Sequence, residues 1–211
     1  NMFVPHLFHY DMDSPEALAD WPPSWGYRNP YWKYFRPLSD VSKRVSLMNT
    51  TGHHVCDVAI LNPHTTYCVH GYDEDADKDV YAEIQGSLLK HYCDYDIIDP
   101  TSLINTTVID GHLTIHDEKY RMLILPNLEY IKKEVYDKIE TFVKEGGIVL
   151  AVYDLPVRTP QGKEADMHVY NGIRKLFGMQ SPARIAKDSP DKNRYYDTDQ
   201  DHLNYFQVQD H

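Results

Sequence analysis

Short apolar runs alternate with amphipathic segments in the middle of the chain. Residues 55–61 are almost continuously apolar, which is typical of a strand buried on both faces of a sheet. Residues 131–145 instead place apolar side chains at helical spacing and end at Gly146 and Gly147. The predicted strands are 55–61, 95–98, 122–125 and 148–152, and the predicted helices are 80–92, 131–145 and 167–177. This alternation predicts an α/β fold, a flavodoxin-like parallel sheet with helices on both faces.

A hairpin interrupts this alternation at residues 106–115. Asp110 and Gly111 stand between two strand-like runs, and this pair favours a tight turn with positive φ. We therefore expect an antiparallel hairpin beside the parallel sheet.

The chain divides into three zones. Residues 1–52 begin with a strand-like run, Met2 to Val4, continue through a polar, aromatic loop, and predict a helix over 31–48. Pro37 should break or kink that helix, and Gly52 should stop it. Residues 53–180 form the α/β domain, and residues 181–211 read as a polar arm or the start of a further domain. Because the chain opens so abruptly at Asn1, we expect it to be a fragment.

Charge and cysteine content argue against several classes of binding partner and site for this chain. The formal net charge is −11, which argues against nucleic acid and against anionic membrane surfaces. No apolar run approaches the length of a bilayer span. The three cysteines form no C-x-x-C pair, so neither a disulfide framework nor a zinc site is expected. Free thiols mildly favour the cytoplasm, but a periplasmic or secreted bacterial location stays open.

The sequence lacks the residues that three common types of functional site require. A glutamine amidotransferase needs a cysteine at a strand-to-helix turn, and the turn at 153–156 has none. The turn after the first long strand, residues 62–66, lacks a glycine-rich phosphate loop. The acidic run 73–79 lacks the Gly and Glu of a calcium-binding EF-hand. No cofactor or metal site is therefore expected in this chain.

Aromatic and imidazole side chains gather near the amino terminus. His6, His9 and Tyr10 follow the first predicted strand, and the loop after them supplies more rings and a guanidinium group. Stacking rings with hydrogen-bonding side chains suit a sugar subsite. The alternative is that they attach the loop to a neighbouring domain. The candidate substrate-binding residues are His6, His9, Tyr10, Trp25, Tyr27 and Arg28.

Three stretches of the sequence resemble a known family. Residues 1–10, Asn-Met-Phe-Val-Pro-His-Leu-Phe-His-Tyr, are similar to the last barrel strand of family 106 glycoside hydrolases, the α-L-rhamnosidases. Residues 22–32, with Pro-Ser-Trp-Gly-Tyr-Arg-Asn-Pro at their centre, resemble the loop and helix that follow there. Residues 54–63 resemble the strand that opens the accessory domain behind the barrel. The resemblance extends to about residue 155.

The resemblance implies a fold and an activity. It makes residues 1–52 the last strand, loop and helix of a (β/α)₈ barrel, and residues 53–180 a flavodoxin-like accessory domain. It implies hydrolysis of terminal α-L-rhamnosides with inversion, by two carboxylates that would lie outside this chain. The family's calcium ion would likewise belong to the complete enzyme. The expected partners are a rhamnoside substrate and the rest of the polypeptide or further copies of it, and this chain alone should be inactive. The alternative is a non-catalytic interaction or oligomerisation module.

Overall fold

Eight strands and six α-helices form the part of the chain that the computed structural model describes, residues 2–6, 8–9, 13–15, 24–70, 78–178 and 205–207. The strands are β1 (Val58–Leu61), β2 (Asp96–Ile98), β3 (Thr107–Ile109), β4 (His112–Ile115), β5 (Glu118–Tyr120), β6 (Met122–Leu125), β7 (Ile148–Val152) and β8 (Tyr205–Gln207). The helices are α1 (Phe35–Asn49), α2 (His64–His70), α3 (Lys78–Lys90), α4 (Pro100–Asn105), α5 (Lys133–Lys144) and α6 (Lys163–Leu176). The chain separates into two units, residues 1–54 and residues 55–211.

The main sheet of the second unit has the order β2-β1-β6-β7-β8. The first four strands are parallel, and β8 pairs antiparallel with β7. The predicted α/β class with a parallel sheet is confirmed. The four parallel strands also follow the 2-1-3-4 order that the flavodoxin-like arrangement expects.

Alternate residues of β1 enter two separate cores. Ala59 and Leu61 pack in the larger core, which also contains apolar side chains of α5 and α6. Val58 and Ile60 pack on the other face, with Val80 of α3. The sheet therefore carries helices on both faces, which explains why residues 55–61 are apolar at nearly every position.

Helices α5 and α6 pack against each other through a tyrosine and a glycine. Tyr136 of α5 is almost fully buried, and its hydroxyl oxygen would lie 2.0 Å from a Cβ atom at Gly172 of α6. Beside this contact, Asp137 accepts hydrogen bonds from Lys133 Nζ at 2.5 Å and from His168 Nε2 at 2.7 Å. Hydrogen bonds through Asp137 therefore link the two helices next to the point where they pack closely.

The predicted hairpin is present and longer than expected. Strands β3, β4 and β5 form a three-stranded antiparallel sheet, and β5 was not predicted. The turn between β3 and β4 has φ values of 49° at Asp110 and 70° at Gly111. Gly111 also lies against the backbone of Glu145 and Gly146, where a Cβ atom would meet their atoms at 3.1 Å. The Asp-Gly prediction is therefore confirmed in conformation and in place.

For residues 1–54, the prediction that Pro37 breaks the helix is wrong, whereas the predicted barrel strand over Met2 to Val4 is not tested by this chain. Residues 2–6 form no strand, and Met2 and Val4 are exposed. A strand needs a hydrogen-bonded neighbour, and the described residues do not pair with this run. Pro37 does not break α1, because it lies in the first turn, where its missing N–H would have had no partner within the helix.

The loops after the parallel strands contain helices that the apolar pattern did not reveal. Cys68 lies in α2, and α4 begins at Pro100 with Asp99 as its N-cap. Asp99 accepts hydrogen bonds from the backbone N–H groups of Thr101 and Ser102. Both helices are short, so they present too few turns for a periodic pattern. No described helix combines the length and apolarity needed to cross a bilayer.

Candidate functional site

Ser24 organises the aromatic loop of residues 1–54. It is only 6% exposed, and its hydroxyl oxygen accepts the backbone N–H groups of His9 and Gly26, each at 3.2 Å. Its carbonyl oxygen accepts a hydrogen bond from Asn29 Nδ2 at 2.9 Å. The bond to Gly26 is the local turn that a serine makes two residues along the chain. Ser24 therefore joins the amino-terminal segment to the loop that contains Trp25.

Three of the predicted substrate-binding residues meet at this junction. Trp25 Nε1 donates a hydrogen bond to the carbonyl oxygen of His6 at 3.1 Å. The backbone of His9 is held by Ser24, as described above. Residue 25 is distant in sequence from residues 6 and 9, and these bonds explain how the backbones of His6 and His9 come to lie near Ser24 and Trp25. Tyr10, the third of the candidate set in chain order, lies outside the described residues.

Tyr27 and Arg28 extend the same loop into solvent. The Tyr27 side chain is among the exposed large rings, and the Arg28 guanidinium carbon lies 5.8 Å from its ring centroid. Arg28 also forms an ion pair with Asp13. The pKa of Arg28 is raised, first by a hydrogen bond with the Tyr27 hydroxyl and then by the Asp13 carboxylate. Arg28 is therefore a fixed cation at the edge of the loop.

A row of rings continues from Trp25 into the following helix. The Trp25 and Phe35 centroids are 6.0 Å apart with tilted planes, and Trp32 stacks on Phe35 at 5.4 Å with planes 17° apart. Phe35 was not among the candidate residues. Its place could have been inferred from the predicted helix, because positions 32 and 35 are one turn apart.

The described residues of the loop include no pair of carboxyl groups that could catalyse hydrolysis with inversion. An inverting glycosidase needs two carboxyl groups roughly 6.5–9.5 Å apart, one acid and one base. Asp13 is the nearest described acid to the loop, and it is engaged with Arg28. Among the candidates, the groups on offer are rings, imidazoles and a guanidinium, whereas calcium prefers oxygen ligands. These residues therefore do not fit a calcium site.

Among the described residues of 55–178, a thiol and an imidazole lie in contact. Cys68 Sγ lies 3.4 Å from His64 Nε2, one helical turn away on α2. The turn at residues 153–156, where an amidotransferase-like fold would place its nucleophile, contains no cysteine. Tyr153 in this turn has a φ of 66°. Cys56 is buried, and that burial raises the pKa of its thiol. The sheet domain thus lacks the strand-to-helix cysteine that this chemistry uses.

The loops after β1 and β6 are joined directly. Thr66 Oγ1 donates to the carbonyl oxygen of Tyr130 at 3.2 Å and accepts the Tyr130 backbone N–H at 3.1 Å. Tyr130 also forms an isolated parallel bridge with Arg158. In open parallel sheets, small ligands commonly bind in a crevice at the carboxyl ends of such strands. Here the side chain of Thr66, in the first turn of α2, binds the backbone of Tyr130 in the loop after β6.

Comparisons with known proteins identify a family. A family model described as alpha-L-rhamnosidase, of the family 106 glycoside hydrolases, matches residues 22–209. The match extends past residue 155, where the resemblance in the sequence ended. No curated protein matches the chain significantly. A β-galactosidase from Bifidobacterium adolescentis is similar in structure, with 13% identity, a TM-score of 0.44, and coverage of 61% of this chain and 56% of that chain. The chain therefore spans little more than half the length of that protein.

Proposed function

Because the chain belongs to the alpha-L-rhamnosidase family of glycoside hydrolases, we propose that it is part of an enzyme that cleaves terminal α-L-rhamnosides with inversion. Residues 1–54 supply part of the sugar pocket, and residues 55–178 form a structural accessory domain. The catalytic carboxylate pair lies elsewhere in the complete polypeptide. The family match over residues 22–209 is the observation that carries this proposal.

The geometry of the aromatic loop supports a role in sugar binding. Ser24 fixes the loop backbone, so Trp25 is held in one orientation by its bond to His6. A preorganised ring loses little conformational freedom when a pyranose stacks on it. Tyr27 and Arg28 stand beside it with polar groups that can bind hydroxyls. The loop therefore has both types of group that a saccharide requires.

The surface of α1 supports the placement of residues 1–54 within a larger body. Four apolar side chains lie along one side of α1 at three- or four-residue spacing, and the structure leaves all of them exposed, from 37% for Leu38 to 76% for Met48. Val41 and Val45 stand between them. No residue of α1 is buried. An amphipathic helix is normally stabilised by covering this side, so further polypeptide is expected against it.

The accessory role of residues 55–178 follows from what their polar groups do. Thr66, Asp99 and Asp166 bind backbone N–H groups at the ends of strands and helices. Their oxygens are used to complete the fold. A parallel sheet with such loops is a scaffold, and in the proposed enzyme it supports the catalytic domain.

The same exposed side of α1 also favours a second function. An interaction or oligomerisation module would bury these apolar side chains against a partner rather than against a barrel. That alternative requires no hydrolysis of rhamnosides by any form of the protein.

Hydrolysis of an aryl α-L-rhamnoside separates the two functions. The complete polypeptide that contains this chain and the 211-residue chain alone would be assayed side by side, with an aryl α-L-fucoside as a control for general glycosidase activity. We expect turnover of the rhamnoside by the complete polypeptide and none by the chain alone, because the chain lacks the carboxylate pair. The anomeric configuration of the first product, read by NMR, would report inversion.

Each part of the proposal has its own contradicting result. Turnover by the isolated chain would refute the location of the carboxylates. Absence of rhamnoside hydrolysis by the complete polypeptide would refute the substrate class and leave the interaction module. Retention of configuration in the product would refute inversion alone.

A further inference from the structure

A small cavity lies behind the aromatic loop, between the loop and the start of α1. Its volume is about 80 Å³. Trp25, Trp32, Phe35 and Leu38 provide rings and an aliphatic side chain, and Asn29 and two tyrosines complete the wall. None of Trp32, Phe35, Leu38 or Asn29 was among the sequence-based candidates.

The cavity is large enough for one small substituent of a sugar but too small for the whole ring. Pockets that hold an entire small ligand span roughly 300–1,000 Å³. A water molecule occupies roughly 30 Å³ of liquid, so about 80 Å³ accommodates a methyl group with some clearance. A pyranose ring would have to remain outside, with one substituent pointing in.

The chemistry of the wall selects an apolar substituent. Asn29 is the amide in the wall, and both ends of its side chain are engaged: Nδ2 donates to the Ser24 carbonyl oxygen, and Oδ1 accepts the Tyr31 backbone N–H at 2.9 Å. Trp32 and Phe35 present stacked rings. A hydroxyl group placed against the faces of these two rings would lose water without gaining an equal hydrogen-bond partner from them, which is unfavourable.

We infer that this cavity receives the C6 methyl group of a 6-deoxyhexose, and that Trp32, Phe35 and Leu38 determine this specificity. The inference rests on the proposed function, because rhamnose is 6-deoxymannose and its C6 is a methyl group. The corresponding L-mannoside differs by a hydroxymethyl group at that position alone. The cavity therefore distinguishes two sugars that are otherwise identical.

The ratio of two specificity constants tests this role. In the complete polypeptide, kcat/KM for an aryl α-L-rhamnoside should exceed that for the matching α-L-mannoside by about 10- to 100-fold. Leu38→Asn places an amide in the wall and should lower this ratio by about tenfold, mainly through the rhamnoside. Leu47→Asn is the matched control, because Leu47 is an exposed leucine of the same helix outside the cavity wall. It should leave the ratio unchanged.

Saturation-transfer NMR on the 211-residue chain tests the contact independently of catalysis. With methyl α-L-rhamnopyranoside, the C6 methyl protons should receive the strongest saturation, and Leu38→Asn should weaken it while Leu47→Asn does not. Equal saturation around the ring, absence of binding, or an unchanged ratio in Leu38→Asn would overturn the inference. Rhamnoside hydrolysis without these effects would leave the proposed function standing, whereas a methyl contact without hydrolysis would refute the function and keep the site.

Discussion

Arg28 brings a permanent positive charge to the loop that the proposal assigns to the sugar. Its guanidinium group contacts the Tyr27 ring and forms an ion pair with Asp13, yet its side chain remains 40% exposed. A guanidinium group has several N–H donors in a fixed fork, so it can keep these partners and still bind a hydroxyl. Arg28 is therefore the polar candidate best placed to contact substrate.

Replacing Arg28 should weaken substrate binding specifically. Arg28→Ala removes a charged donor, and a hydrogen bond to a charged group contributes about 1.5–3 kcal/mol. We expect kcat/KM for the rhamnoside to fall by about 10- to 100-fold in the complete polypeptide. Arg44→Ala removes another exposed arginine of the same unit, from α1, and serves as the matched control. Steady-state kinetics with circular dichroism as a check of folding would measure both variants.

Equal losses in Arg28→Ala and Arg44→Ala would show a general effect of charge. A loss confined to stability, with unchanged kcat/KM, would make Arg28 a structural residue that positions the loop through Asp13.

The chemistry of the predicted site residues could be inferred from sequence, but their arrangement could not. Rings and imidazoles are evident as residue types, so Trp25 and His6 could be named as candidates. Ser24 was missed because its role depends on the backbone of His9, fifteen positions earlier, which only the folded chain brings near. A serine before a tryptophan has no distinctive pattern, and its burial is the informative observation.

The contact between α5 and α6 depends on a residue without a side chain. Gly172 lies within α6, where glycine is unfavourable by roughly 1 kcal/mol relative to alanine. Its position is explained by Tyr136, whose hydroxyl oxygen and Cζ would lie 2.0 and 2.1 Å from a Cβ atom there. Because Tyr136 is almost fully buried, it has little room to move away.

Replacing each of two helical glycines by alanine should change the free energy of unfolding in opposite directions. Gly172→Ala overpacks the contact with Tyr136 and should lower the free energy of unfolding by about 1–3 kcal/mol. Gly86→Ala in α3 meets nothing within 4 Å and should raise it by about 0.5–1 kcal/mol through helix propensity. Urea denaturation of the 211-residue chain would measure both. A stabilising Gly172→Ala would mean that α5 and α6 are further apart than the structure places them.

Elements were predictable where a periodic pattern was long enough. The helix predicted over 131–145 appears as Lys133–Lys144, and the strand predicted at 148–152 has those bounds. Met2 to Val4 form no strand in this chain, because an apolar run specifies a strand only when a neighbour can pair with it. The prediction that Pro37 breaks the helix failed because the effect of a proline depends on its position. Helix α1 begins only two residues before Pro37.

The two units differ in how they bury apolar surface. Residues 55–211 contain both cores, on either side of the parallel sheet. Among the described residues of 1–54, Ser24 is the one that is buried, and the apolar side chains of α1 are exposed. Hydrophobic burial is the main favourable contribution to folding, so the second unit should be able to fold by itself and the first should not.

Separate expression of the two units tests this difference. Residues 55–211 should give a helix-and-strand circular dichroism spectrum and a single cooperative urea transition with a slope of about 1–3 kcal/mol/M. Residues 1–54 should lack a cooperative transition, because α1 alone is near the length at which isolated helices are marginal in water. Gly172→Ala, carried into the 55–211 piece, should shift its transition by the same amount as in the whole chain, since both contacting helices are retained. A cooperative transition in residues 1–54, or none in residues 55–211, would contradict the assignment of stability to the sheet, and with it the proposed role of that domain as a self-supporting scaffold.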